Sequence, residues 1–168
     1  MMSSSTKPFK IGMYGGKFMP MHIGHYHCLK TAAEECEKVF LILFYGGIQE
    51  QKIHNEMNDR CLLIDSRIKQ LYRAADYFDN VTPIVIDISS TIMPNGEEDW
   101  DAQTPMVIQA IGRQPDAVYG SEVSYADYFA RAYPFAEYRL LDPERKHIHI
   151  SATDLRSMPW SERQEWMI

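Results

Sequence analysis

At 168 residues the chain is long enough for one domain with a substantial core, and its 45% apolar and 24% charged side chains are those of an ordinary globular protein. Seventeen lysines and arginines against 23 aspartates and glutamates give a net charge of -6, which argues against a broad basic nucleic-acid surface while leaving room for a local cationic pocket. No apolar run approaches the ~20 residues needed to span a bilayer. The start, Met1-Met-Ser-Ser-Ser-Thr-Lys-Pro8, lacks the apolar segment of a secretory signal.

Residues 1–8 are expected to form a tail, and residues 9–168 a single domain in which strand-like and helix-like stretches alternate. Lys10–Tyr14 reads as the first strand. Gly24–Cys36 reads as a helix with Leu29, Ala32, Ala33 and Cys36 on its inner face. Val39–Phe44 is a continuous apolar run, as in a strand covered on both sides, and Gly46-Gly47 ends it. Asn58–Tyr77 reads as one long helix capped by Asn58 and packed through Leu62, Leu63, Ile68 and Leu71. Val81–Ile88 is a third strand interrupted by Pro83, and Ser89–Glu98 a loop. Helix Asp101–Gly112, strand Asp116–Tyr119, helix Ser124–Ala132 and strand Tyr138–Leu141 follow, with short helical pieces from Ser151. Repeated β-α units imply a parallel sheet with helices on both faces, whose ligands bind beyond the carboxyl ends of the strands at the switch point. Three cysteines, Cys28, Cys36 and Cys61, have no paired spacing, and the first two lie eight apart along one predicted helix and should point inward. They suggest a reduced, cytoplasmic protein.

The richest segment is Met13-Tyr-Gly-Gly-Lys-Phe-Met-Pro-Met-His-Ile-Gly-His25. A strand meets Gly15-Gly16, turns through Lys17-Phe18-Met19-Pro20, and delivers His22 and His25 to the start of a helix. Three apart on a first turn, the two imidazoles share a face. A helix start offers unpaired N–H groups and partial positive charge, so two imidazoles and Lys17 there suit a polyphosphate. A P-loop is rejected: the glycine spacing is one residue short, and Phe18 stands where a Ser or Thr would bind magnesium. His22, His25 and His27 have spacing compatible with a metal, but no cysteine or carboxylate cluster completes a tetrahedral set, so no protein metal ligand is named.

A second motif lies near the other end, about 125 residues on: Ile150-Ser151-Ala152-Thr153-Asp154-Leu155-Arg156. The hydroxyls of Ser151 and Thr153 suit phosphate oxygens, and the planar fork of Arg156 suits the β/γ end of a triphosphate. The plain reading is a Ser/Thr helix cap followed by an exposed arginine. Trp100 can stack on a flat cationic ring or serve as a core tryptophan. Ser121-Glu122, leaving the fourth strand, should face the same crevice as Gly15 to His25.

The pair of motifs resembles the nucleotidyltransferase superfamily with the His-x-Gly-His signature, whose second signature has the form Ile-Ser-x-Thr-x-x-Arg. Within it, the chain resembles the nicotinamide mononucleotide (NMN) adenylyltransferase domain of NadR-type bacterial proteins, through Gly16-Lys17-Phe18, Asp59-Arg60, Trp100, Ser121-Glu122 and Leu141-Asp142-Pro143-Glu144-Arg145. Lys146-His147-Ile148-His149 departs from that pattern. The resemblance implies a Rossmann-like five-stranded α/β sheet in the order 3-2-1-4-5. It implies adenylyl transfer from ATP to NMN, giving NAD and pyrophosphate, with His22, His25, Lys17 and Arg156 as catalytic groups. Gly15, Gly16, Phe18, Gly24, Ser121, Glu122, Ser151 and Thr153 would bind the nucleotide, and Arg60 and Trp100 the acceptor. Mg2+ would be held mainly through the ATP phosphates. A homo-oligomer is allowed, and no membrane or nucleic-acid partner is expected. Relatives of this type often continue into a ribosylnicotinamide kinase domain; the chain stops at Ile168, so that activity is expected to be absent. The alternatives are a cytidylyltransferase or pantetheine-phosphate adenylyltransferase, a non-catalytic nucleotide-binding regulator, and a metal-binding protein using its histidines.

Overall fold

The computed structural model describes residues 6–57, 59, 62–142 and 150–167. Chain order is β1 (Phe9–Gly16), α1 (Ile23–Glu35), β2 (Cys36–Tyr45), α2 (Ile48–Met57), α3 (Ile64–Asp76), β3 (Val81–Asp87), α4 (Trp100–Ile111), β4 (Ala117–Gly120), α5 (Ala126–Ala132), β5 (Glu137–Leu140), α6 (Ala152–Arg156) and α7 (Trp160–Arg163). All strands pair in parallel, in the order β3-β2-β1-β4-β5. The expected Rossmann-like order is therefore present. The chain winds outward from β1 in one direction as far as β3, then crosses through α4 to β4 on the other side of β1. The reversal leaves a crevice between the carboxyl ends of β1 and β4.

Alternation along the central strands divides the core between two faces. Tyr14, Leu41 and Leu43 join Leu29 of α1 and Leu71 of α3 on one face. Met13, Phe40 and Ile42 join Ile86, Val107 and Val118 on the other. Leu41, Ile42 and Leu43 are completely buried, which explains the unbroken apolar run of β2. Pro83, opposite Leu41, is tolerated because β3 is an edge strand whose outer side needs no ladder donor.

Gly12 marks the closest approach within the sheet. A Cβ there would lie 2.5 Å from the Cys36 sulfur and 3.3 Å from the Tyr119 ring. Gly12→Ala should therefore overpack the center of β1 and lower stability by about 1–3 kcal/mol, read as a lower denaturant midpoint at unchanged slope. An unchanged midpoint would refute the steric argument.

The stretch expected as one helix from Asn58 is built differently. A separate helix, α2, precedes it, and α3 begins only at Ile64, after Leu63 in the N-cap position without a side-chain cap bond. Asn58 and Cys61 lie outside the described residues. Leu62 and Leu71 are buried as expected, whereas Leu63 is exposed. Cys36 is the C-cap of α1 and also the first residue of β2, and both Cys28 and Cys36 are buried. The 89–98 segment is a stapled loop: a 3-10 turn at Ser89–Thr91 leads into a bridge between Ile92 and Glu98. Among the described residues no helix is long and apolar enough to cross a membrane.

Candidate active site

Two histidines cap α1 reciprocally. His22 is the N-cap, in extended conformation, and its Nδ1 accepts the Gly24 N–H at 3.0 Å. His25, at the third helical position, uses its own Nδ1 to accept the His22 N–H at 3.1 Å. This is the geometry of a capping box, with imidazoles replacing the usual hydroxyl and carboxylate. It explains the three-residue spacing, and it sets the chemistry. An Nδ1 that accepts a backbone N–H carries no proton, so each neutral ring holds its proton on Nε2. The rings lie face to face, 3.7 Å between centroids and tilted by 30°. In this tautomer each ring carries its N–H on Nε2, with His22 buried and His25 half-buried.

A cleft of about 430 Å³ opens between the ends of β1 and β4, within the usual size range of ligand sites (~300–1,000 Å³). Gly15, Gly16, Lys17, Phe18, His22, Gly24 and His25 line one side, and Ser121, Glu122 and Trp100 face them. All ten were expected at the site. Tyr125, Tyr128, Phe129 and Tyr133 complete an aromatic wall around Trp100, whose ring meets Tyr125 and Tyr128 edge-on at 5.0 and 5.1 Å. The Tyr128 hydroxyl donates to the Trp100 carbonyl at 2.8 Å and lies 2.7 Å from the Thr104 hydroxyl, which ties α4 to α5. Burial and the neighboring carboxylates of Glu122 and Glu98 push the Tyr125 phenol above its ordinary pKa, so it stays protonated at neutral pH.

The second motif reaches the first at Arg156. Arg156 Nη1 donates to the Met19 carbonyl at 2.9 Å, three residues before His22, while Nη2 donates to Thr153 Oγ1 at 3.3 Å. Burial lowers the pKa of this guanidinium from its ordinary value. Ser151 is the N-cap of α6, where its hydroxyl accepts the Asp154 N–H at 3.1 Å in a second capping box. Ser151, Thr153 and Arg156 are absent from the residues that line the cleft. The fold thus brings the two motifs together at the histidine loop but leaves the second off the cleft wall. The tail continues past the site: Met167 forms a β-bridge with His22, and Arg163 bonds to Asp59, the neighbor of Arg60. Arg60, Arg145 and Lys146 lie outside the described residues.

Sequence reading missed three residues that hold this site. Arg67, 2% exposed, donates to the Lys17 carbonyl from Nε (3.1 Å) and Nη2 (2.7 Å), and pairs through Nη1 with Glu50. The other Glu50 oxygen accepts the N–H groups of Gly46 (2.5 Å) and Gly47 (3.1 Å). One buried ion pair thereby holds the turns after both β1 and β2. The available signal was an arginine lying on the same helical stripe as Ile64, Ile68 and Leu71. The third residue, Glu98, pairs with Lys17 at 2.5 Å. Among the described residues, no group of three or more His, Cys, Asp or Glu side chains could hold a metal ion.

Residues 13–158 match the family described as cytidylyltransferase-like. The chain is 25% identical over 153 residues to the trifunctional NAD biosynthesis/regulator protein NadR of Salmonella typhimurium, covering 89% of this chain and 37% of that protein. It therefore spans little more than a third of that relative. It is 26% identical, also over 153 residues, to phosphopantetheine adenylyltransferase of Mycoplasma mycoides, covering 89% of this chain and 96% of that enzyme. Among solved structures, NadR in complex with NAD and AMP-PNP superposes with a TM-score of 0.66 at 24% identity, over 95% of this chain and 44% of that one. A bifunctional NMN adenylyltransferase/ADP ribose pyrophosphatase of Francisella tularensis, complexed with AMP and manganese, gives 0.56 at 17% identity, over 88% and 40%. At these identities the superpositions speak for the fold, and the sequence match carries the kinship. With the match running from within β1 to just beyond α6, the chain belongs to the cytidylyltransferase-like family and shares its kinship with nucleotidyltransferases of the NadR and phosphopantetheine adenylyltransferase type.

Proposed function

We propose that this chain transfers AMP from ATP to nicotinamide mononucleotide, giving NAD and pyrophosphate. The observation that carries the reading is the two-sided cleft, with paired Nε2–H donors and Lys17 at one side and Trp100 in an aromatic wall at the other. An acceptor phosphate oxygen attacks the α-phosphorus of ATP. The new O–Pα bond forms as the bond from Pα to the bridging oxygen breaks, and pyrophosphate leaves. The attacking oxygen is already ionized, so no general base is required. Catalysis is then positioning plus stabilization of charge on the transferring phosphate.

His22 and His25 donate Nε2–H bonds to the phosphate oxygens, and Lys17 supplies positive charge beside them. Gly15, Gly16, Phe18 and Gly24 shape the phosphate side, while Ser121 and Glu122 face the base or ribose. Arg156, with Ser151 and Thr153, is assigned to the leaving pyrophosphate. It stands beside the histidine loop, and its bonds to Met19 and Thr153 use two of its five N–H donors. Magnesium would enter with the triphosphate. The Glu98 carboxylate on the cleft wall is engaged by Lys17 and Gln103, and no step is assigned to a protein-held metal.

The test is a substrate matrix. NMN, nicotinate mononucleotide and phosphopantetheine are each combined with ATP or CTP, and pyrophosphate release is followed. ATP with NMN should exceed every other pair by about tenfold or more, equivalent to ~1.4 kcal/mol of discrimination. The similarity to a phosphopantetheine adenylyltransferase along nearly its whole length supports a second reading, in which phosphopantetheine is the best acceptor. Release with phosphopantetheine alone would transfer the assignment to that acceptor. ATP binding without pyrophosphate release from any pair would leave a nucleotide-binding regulator.

A further inference from the structure

Lys17 is the one lysine or arginine among the described residues lining the cleft, and its charge is already matched. Its Nζ lies 2.5 Å from Glu98 Oε2. The two partners differ in freedom. Lys17 sits on a flexible four-carbon stem. Glu98 is held at several points: its Oε1 accepts Gln103 Nε2 at 3.1 Å, Gln103 Nε2 also donates to Thr91 Oγ1 at 3.2 Å, and Asp99 N donates to the Thr91 carbonyl at 2.8 Å. The pair rests over Gly47, where a Cβ would come within 3.1 Å of the carboxylate and 3.2 Å of the ammonium. Both side chains are largely shielded, so their charges are poorly screened. Two residues beyond Glu98 stands Trp100.

A triphosphate entering the histidine side competes with Glu98 for Lys17. When Lys17 swings away, Glu98 stays in place with only its neutral Gln103 donor, and a negative charge is uncovered next to the aromatic wall. We propose that Glu98 is the specificity residue that links the two halves of the cleft: it releases Lys17 to the incoming nucleotide and then serves as counterion to a positively charged acceptor ring beside Trp100. This rests on the adenylyl-transfer reading and adds to it a selection by ring charge. Two consequences follow. Nucleotide and acceptor bind with positive coupling, and the enzyme prefers the cationic pyridinium of NMN to the uncharged ring of reduced NMN, which has nearly the same shape.

Calorimetric titration with α,β-methylene ATP, which cannot transfer its AMP, tests this. In the wild-type protein, saturating NMN should tighten binding of the analogue by about 5- to 20-fold, reciprocally, and reduced NMN should produce much less coupling. In Glu98→Gln the analogue alone should bind about 3- to 10-fold more tightly, because no counterion has to be displaced, and the two ring forms should give nearly equal coupling. In a Lys17→Met background, Glu98→Gln should change analogue affinity by a factor clearly different from the one it gives in the wild-type background, the non-additivity a double-mutant cycle requires of a direct pair. Failure of the wild-type protein to bind the analogue overturns the adenylyl-transfer reading itself. Binding without preference between NMN and reduced NMN overturns the charge selection alone, and that measurement needs no variant. A Glu98→Gln protein with unchanged analogue affinity and unchanged ring preference overturns the exchange.

Discussion

His25→Ala should lower kcat by roughly 10²–10³ while changing the affinity for an ATP analogue only slightly, the signature of a donor whose bond strengthens as charge develops. The structure makes this a demanding prediction, because His25 has two roles that one truncation removes together. Its Nδ1 completes the cap of α1, and loss of such a bond costs about 0.5–2 kcal/mol in stability. Its Nε2–H is the group assigned to phosphate. A second variant separates them. His25→Glu places at the third helical position the residue that ordinarily completes a capping box, so it should recover the stability lost in His25→Ala. Its carboxylate repels phosphate, and kcat should stay low. Stability and turnover returning together would show that the histidine matters only as a cap. Near-wild-type turnover in folded His25→Ala would rule out the phosphate role.

Arg67→Met should be the most destabilizing single change in the site, at about 3–5 kcal/mol by denaturant unfolding. The guanidinium is almost completely buried, and its removal strands the Glu50 carboxylate and takes two donors from the Lys17 carbonyl. The N–H groups of Gly46 and Gly47 still bond Glu50, which places the expectation toward the lower end of that range. Replacing both partners, as in Arg67→Met with Glu50→Leu, should recover much of the loss, because a buried charge without its counterion is worse than an apolar pair. A loss below about 1 kcal/mol in Arg67→Met alone would show that the pair is well hydrated in solution and that the turn after β1 stands without it.

Much of the architecture was readable in the sequence because it is set by local periodicity. The apolar run Val39–Phe44 needed no partner to be recognized as a doubly covered strand, and the inner face of α1 followed from Leu29, Ala32 and Ala33. The glycine turn and the two histidines were legible as a phosphate-type loop because the residues that build it are neighbors along the chain. The division of α2 from α3 was not. The polar stretch Gln49-Glu50-Gln51-Lys52 carries no apolar signal, and its Glu50 side chain is buried only because Arg67 and two glycine amides surround it.

The amino-acid sequence by itself determined the strands, most of the helices and the residues of the histidine loop, since hydrophobic alternation and turn chemistry act within a few positions. Tertiary structure alone decided which atoms face which. It set both histidines with Nδ1 toward the backbone, brought Glu98 onto Lys17 across 81 positions, and joined Arg156 to Met19 across 137. A charged side chain pairs with whatever the fold brings within about 3 Å, and along the chain that partner leaves no periodic trace.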